Sequence, residues 1–145
     1  MDVRKRVVLI EDDAIDVKLI SDCIARVCPE SRLEVFRDGG NALGFFSRFR
    51  IEDLPPLALV LLDLKLPGLS GQELLSYIKG RDTTRNLPIV VVTGAASPDQ
   101  IARLYEMGAN SVIEKLRPDR AIEALERVLN YWVNQNITPE RAAGS

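Results

Sequence analysis

Five short aliphatic runs, spaced along the whole chain, constrain its fold more than any other feature. They are VVLI (7–10), LEVF (33–36), LALVLL (57–62), LPIVVV (87–92) and SVI (111–113). Except for LEVF, which Glu34 interrupts, the runs are continuous rather than alternating between apolar and polar residues. Continuous runs of this length are typical of strands in a parallel sheet that is covered on both faces.

Segments with helical spacing separate the runs. The clearest keeps one apolar face for more than three turns, through Ile122, Leu125, Val128, Leu129, Trp132 and Val133. Helix starts are indicated by the capping box SGQE (70–73) and by SPDQ (97–100), which has proline at its first helical position. Five strands alternating with five helices predict a doubly wound α/β fold, with a five-stranded parallel sheet in the common order 2-1-3-4-5.

The length and charge of the chain favour one domain without a nucleic-acid or membrane partner. Its 145 residues fit one domain of ordinary size, which we predict over 1–136, with a flexible tail over 137–145. The formal net charge is −2, and no apolar segment approaches a membrane span or a signal-peptide core. We therefore expect a cytoplasmic protein.

The absence of histidine and the scarcity of cysteine exclude several kinds of site. The sequence has no histidine, so it cannot form a Ser-His-Asp triad, a histidine-ligated zinc site or a phosphohistidine. Cys23 and Cys28 fall in one predicted helix, with Cα atoms about 8 Å apart, too far for a disulfide. We expect both to be reduced core thiols.

Polar residues follow the predicted strands at the sheet edge where ligands bind in this class of fold. They are Glu11 and Asp12 after the first strand, Asp63 after the third, Thr93 at the end of the fourth and Lys115 after the fifth. Carboxylates about 4 Å apart repel each other by about 4 kcal/mol per pair at an effective dielectric of about 20. Lys115 supplies one positive charge, and oxygen ligands suit Mg²⁺ as the second.

Several of these residues also have structural explanations. Asp13, with Asp16 three residues on, can cap the first helix and favour its dipole. Thr93 can be a β-branched residue that finishes its strand, and Lys115 a solvated lysine. The combination is more specific, because a metal, a lysine, a hydroxyl and an accessible carboxylate can together accept a phosphoryl group, with Asp63 attacking phosphorus in line.

Four segments in order resemble the receiver domain of two-component response regulators. They are VLIEDD, LLDLKLPGLSG, PIVVVTG and GANSVIEK, and the resemblance covers roughly residues 5 to 135. It implies a flavodoxin-like receiver fold and a single-domain signalling protein similar to the chemotaxis regulator. It also implies a sensor histidine kinase as the phosphoryl donor.

The resemblance assigns a role to each site residue. Asp63 would be the phosphoacceptor, Asp12 a direct Mg²⁺ ligand, Glu11 a ligand through water, Lys65 a ligand through its backbone carbonyl, Thr93 the switch hydroxyl and Lys115 the ion-pair partner of the phosphoryl group. Lys65 and Ala95 flank the pocket, where side chains would tune hydrolysis. The protein would not be an enzyme, apart from slow self-dephosphorylation.

Two positions depart from the family pattern. Val112 stands where family members typically have an aromatic residue, and Leu116 stands where most have a proline after the lysine. Because a cis bond before a residue other than proline costs about 3 kcal/mol, we expect a trans bond or a shifted loop there. The departures leave open a receiver that does not switch and serves as an interaction or dimerisation module.

The apolar end of the last helix is a candidate surface for passing the signal to another protein molecule. Tyr131, Trp132 and Val133 extend its apolar stripe, which is similar to stand-alone receivers paired with bacterial phytochrome kinases. Such relatives often dimerise through the C-terminal region. The alternative is that Trp132 closes the bottom of the core.

Two further functions share part of this chemistry. A Mg²⁺ phosphohydrolase usually has a second acid two residues after its nucleophile, where this chain has Lys65. A flavodoxin-like nucleotide carrier would bind phosphate in a glycine- and hydroxyl-rich loop after the first strand, where this chain has EDD (11–13).

Overall fold

Five parallel strands, numbered along the chain, form one sheet in the order 2-1-3-4-5, as predicted. The computed structural model describes residues 4–94 and 96–138, so most of the predicted tail and Ala95 lie outside the described residues. The strands are β1 (Arg6–Ile10), β2 (Arg32–Phe36), β3 (Leu57–Leu62), β4 (Ile89–Thr93) and β5 (Ser111–Glu114). The helices are α1 (Ala14–Val27), α2 (Gly39–Arg48), α3 (Gly71–Lys79), α4 (Pro98–Glu106) and α5 (Pro118–Leu129), which continues as a π-helical segment over Asn130–Gln135.

The three central strands are buried on both faces. Every residue of β1, β3 and β4 is buried, and alternate side chains enter two separate apolar clusters. Val8 and Val60 join the cluster under α2, α3 and α4, whereas Leu9 and Leu61 join the one under α1 and α5. Each such side chain stabilises the fold by about 1.5–3 kcal/mol, which is why continuous aliphatic runs produce this sheet.

The helix starts follow the predicted capping residues. Ser70 and Glu73 form a reciprocal capping box at α3, and Ser97 and Gln100 form another at α4. The side chain of Asp13 accepts hydrogen bonds from two backbone amides in the first turn of α1. Within the described ranges, none of these helices combines the length and apolar character needed to cross a bilayer.

The chain beyond α5 packs back onto the body of the domain. Trp132 is half-buried against the apolar cluster under α1 and α5, and Val133 is buried within it. The Lys5 Nζ donates to the backbone carbonyls of Val133 at 2.8 Å and Asn136 at 3.2 Å. Thr138, the last described residue, is also buried. Trp132 therefore packs against the core.

The two cysteines are free and buried, as predicted, although Cys28 caps the C-terminus of α1 instead of lying inside the helix. Burial, with a smaller contribution from Cys23, raises the pKa of Cys28 to about 11. At pH 8 a thiol with that pKa is only about 0.1% thiolate. We expect iodoacetamide to alkylate both thiols at least about tenfold more slowly in the native protein than in guanidinium, as followed by intact mass. Equal rates would contradict the burial.

Candidate functional site

Backbone hydrogen bonds along one sheet edge set the positions of three charged residues. The amide of Glu11 donates to the last carbonyl of β2 at 3.0 Å, and the amide of Asp63 donates to the last carbonyl of β1 at 2.9 Å. The amide of Lys115 donates to the last carbonyl of β4 at 2.7 Å. Each residue thus extends the hydrogen-bond pattern one step beyond its strand, so all three lie at the same edge.

Three carboxylates meet at this edge, as the sequence predicted. Ligand oxygens of Glu11, Asp12 and Asp63 all lie within 4.8 Å of one another. Glu11 is 1% exposed and Asp63 is 8% exposed, whereas Asp12 faces solvent. The site therefore has a buried floor and one open acidic side.

Lys115 is the cation that faces this cluster. Its Nζ lies 2.6 Å from Glu11 Oε1, 2.8 Å from Asp16 Oδ2 and 3.8 Å from Asp63 Oδ2. Burial opposes the charged form, but the hydrogen bonds that Lys115 donates to Asp16 and Glu11, together with the charges of Asp63 and Glu11, outweigh it and raise the pKa of Lys115. The lysine is thus held as an ammonium, closer to Glu11 and Asp16 than to Asp63.

The carboxylates carry more negative charge than one lysine can neutralise. Burial, together with the hydrogen bond and charge of Asp63, raises the pKa of Glu11 to about 7, although Lys115 acts in the opposite direction. Such a shift reports a carboxylate that is costly to ionise where it lies. Clustered oxygen donors with this charge suit a hard divalent cation, so the residues present fit the predicted metal.

The loop after β3 turns sharply and brings α3 back against the site. Gly68 has a φ of 75°, a left-handed conformation that favours glycine in this turn. The amide of Gly71 donates to the Leu64 carbonyl at 3.0 Å, which closes the loop. The exposed Lys65 donates its own amide to Asp63 Oδ1 at 3.4 Å, so its backbone lies beside the acid. The role of its carbonyl as a ligand stays a prediction.

Thr93 and the β5 edge complete the surroundings. Thr93 is 2% exposed at the end of β4, next to the lysine in the sheet. Val112 is half-buried, and its amide donates to the Tyr105 hydroxyl from α4 at 3.2 Å. Leu116 is 67% exposed, and the bond that precedes it is trans, as predicted.

Sequence reasoning missed two contacts of the site. Asp16 was predicted only as a partner of the α1 dipole, yet it is an ion-pair partner of Lys115. Its position in the first turn of the helix that follows the acidic strand end was the available signal. Arg37, directly after β2, donates from Nη2 to the Asp12 carbonyl at 2.6 Å. No feature of the sequence distinguishes Arg37 from other surface arginines.

Comparison with known proteins identifies relatives along nearly the whole chain. The family profile for the response regulator receiver domain matches residues 7–126. The probable methanogenesis regulatory protein FilR2 of Methanothrix harundinacea is 33% identical over 134 residues, covering 92% of this chain and 86% of that protein. Response regulator Rcp1 of Synechocystis is 28% identical over 137 residues, covering 93% of each.

Solved structures of two relatives share the fold. The Mn²⁺-bound form of Rcp1 has a TM-score of 0.82 at 27% identity, covering 93% of this chain and 99% of that one. The phosphorylated cyanobacterial phytochrome response regulator RcpA also has a TM-score of 0.82, at 26% identity, covering 94% of this chain and 99% of that one.

Proposed function

The chain belongs to the response regulator receiver family, and we propose that it accepts a phosphoryl group on Asp63 from a sensor histidine kinase and signals through protein contacts. One observation carries this proposal. The Asp63 carboxylate directly follows a buried strand, lies beside two further acids and is 3.8 Å from the Lys115 ammonium. The site thus combines a nucleophile with the positive charge that an incoming phosphoryl group requires.

The residues of this chain have separate parts in the transfer. A carboxylate oxygen of Asp63 forms a bond to phosphorus as the bond between phosphorus and the donor imidazole nitrogen breaks. The electron pair of the broken bond stays on that nitrogen, and the aspartate becomes an aspartyl phosphate. Lys115 would pair with one phosphoryl oxygen, and the Thr93 hydroxyl would donate to another.

Mg²⁺ is the cation that we propose for the acidic cluster. Asp12, Asp63 and the Lys65 backbone carbonyl would hold it directly, and Glu11 would hold it through water. Support comes from the oxygen donors that meet at the sheet edge and from the Mn²⁺-bound form of the similar Rcp1. When bound, the ion would neutralise charge on the phosphoryl oxygens.

The comparisons also support the kind of donor that we propose. RcpA is a phytochrome response regulator, and this chain and Rcp1 each cover 93% of the other in their alignment. We therefore propose that the donor is a sensor histidine kinase of the bacterial phytochrome type. The proposal also includes a cytoplasmic location for the protein. It includes no catalytic turnover beyond slow loss of the phosphoryl group. A homodimer through the C-terminal helix region remains part of the proposal.

Acetyl phosphate tests the function without the kinase. We expect intact mass to increase by one phosphoryl group when the protein is incubated with acetyl phosphate and Mg²⁺. An excess of EDTA should prevent the increase, because the acidic cluster then lacks the cation that an anionic donor requires. An unmodified protein in Mg²⁺ would contradict the proposed function, and uptake in EDTA would contradict the role of the metal.

The second candidate function is a static interaction module, a receiver that does not switch. The environment of Val112 is the observation that favours it. Its half-buried side chain packs against the core cluster under α2, α3 and α4, and its amide is bound to Tyr105. An aliphatic residue fixed in this way offers no aromatic ring to move when the site is modified. Sedimentation of the protein with and without phosphorylation separates the candidates, since equal association constants would favour the static module.

A further inference from the structure

The Lys115 ammonium has two close partners and one open direction. An ammonium carries three N–H donors. Glu11 and Asp16 accept two of them, at 2.6 and 2.8 Å, and Asp63 lies beyond hydrogen-bond distance at 3.8 Å. One donor is therefore left for a phosphoryl oxygen attached to Asp63, provided that the ammonium stays where it is.

The two close partners differ in what a bound cation would do to them. Glu11 belongs to the group of carboxylates that could hold a metal, so a cation would compete with the lysine for it. Asp16 projects from α1 and is not a member of that group. The contact with Asp16 is therefore the one that can persist in the metal-loaded site.

The Lys115 side chain can also adopt conformations in which its ammonium lies away from Asp63, unless an ion-pair partner holds it in place. Its side chain is 21% exposed, so the ammonium can reach solvent. A cleft of about 100 Å³ lies between α1 and α5, with Asp16 and Lys115 among its lining residues and Leu19 and Ile122 on its apolar walls. Without an ion-pair partner, the long lysine side chain would sample such positions. Fixing it in the site would then cost side-chain conformational entropy.

We propose that Asp16 is a positioning residue that holds the Lys115 ammonium beside Asp63 when the cation engages Glu11. The proposal rests on the proposed function and extends it to a residue outside the four segments that carry the resemblance. Asp16 has two opposing effects on a bound phosphoryl group, because it anchors the lysine and also adds a negative charge. The direct contact at 2.8 Å outweighs the more distant repulsion, which solvent screens because the Asp16 side chain is 32% exposed.

Beryllofluoride, a stable mimic of the phosphoryl group, provides the test. We expect Asp16→Ala to weaken beryllofluoride binding about fivefold to twentyfold in saturating Mg²⁺, as measured by calorimetry. Asp16→Asn keeps an acceptor and should lose less. Asp22→Ala is the matched control, because it also removes an ion pair from α1, that with Lys18 at 2.9 Å, and should bind like the wild type. Affinity in Asp16→Ala that is equal to or tighter than that of the wild type would overturn the proposal.

A double-mutant cycle tests whether Asp16 acts through the lysine. In a Lys115→Met background, Asp16→Ala should cause no further loss of beryllofluoride affinity, because only the repulsion from the Asp16 charge is left to remove. Losses that add in the double variant would overturn the positioning role, and Asp16→Asn replaces Asp16→Ala in the cycle if the latter fails to fold. A wild type that binds no beryllofluoride would reject the proposed function itself, whereas a wild type that binds it with the same affinity as Asp16→Ala would reject only the inference.

Discussion

Asp63→Asn is expected to abolish phosphoryl uptake from acetyl phosphate, a loss of at least about 100-fold in rate. The amide oxygen is a poor nucleophile, and the neighbouring acids cannot replace it, because Glu11 is bound by Lys115 and Asp12 lies at the exposed side of the site. Intact mass measured over time in Mg²⁺ gives the rate. Phosphorylation of the variant at the wild-type rate would show that Asp63 is not the acceptor.

The same substitution should leave the fold at least as stable as that of the wild type. Removing the Asp63 charge relieves repulsion in a buried acidic cluster, and thermal unfolding should show a stability change between zero and about +1 kcal/mol. Asp82→Asn is the matched control, since its side chain is 93% exposed and paired only at the surface with Arg85. That variant should take up the phosphoryl group like the wild type. A destabilised Asp63→Asn would mean that the aspartate has a structural role.

Much of the fold could be predicted because the buried strands consist of apolar residues, which stand out in the sequence. The run LALVLL (57–62) is buried at all six positions, and its length and composition allow few alternatives to a central strand. Capping residues were equally informative, since Ser70 and Ser97 each accept from the backbone amide three residues on. The edge strand β2 was less distinct, because each of its residues is half-buried or exposed, with Val35 36% exposed.

The site could be predicted only as far as strand ends determine it. Parallel strands place Glu11, Asp63 and Lys115 at one edge whatever the helices do, so their proximity followed from the fold class. The ion-pair partner of Lys115 could not be predicted from the fold class. It depends on how α1 is rotated over the sheet and on which acid therefore lies within 3 Å of the ammonium. Helical periodicity defines an apolar face but not the position of one polar side chain at its border, and the contact between Asp16 and Lys115 was missed for that reason.

Gly71→Ala is expected to destabilise the protein by about 2–4 kcal/mol and to slow phosphorylation. A Cβ at this position would overlap the Asp63 carbonyl oxygen and lie 2.6 Å from Leu64 Cα. Both contacts are with backbone atoms, which cannot rotate away as a flexible side chain can. Relief therefore requires the β3–α3 loop to move, and with it the backbone that carries Asp63 and Lys65. Urea unfolding gives the stability, and the rate of uptake from acetyl phosphate gives the effect on the site.

Gly44→Ala provides the control, with an effect of opposite sign. Gly44 lies inside α2, where the nearest atom to a new Cβ is the flexible Arg48 Nη1 at 3.5 Å. Alanine should therefore stabilise the helix by about 0.5–1 kcal/mol and leave phosphorylation unchanged. If both variants were stabilised alike, the close approach of α3 to the Asp63 backbone would be wrong. If Gly71→Ala lost stability but kept the wild-type rate, the loop would support the fold without positioning the acceptor.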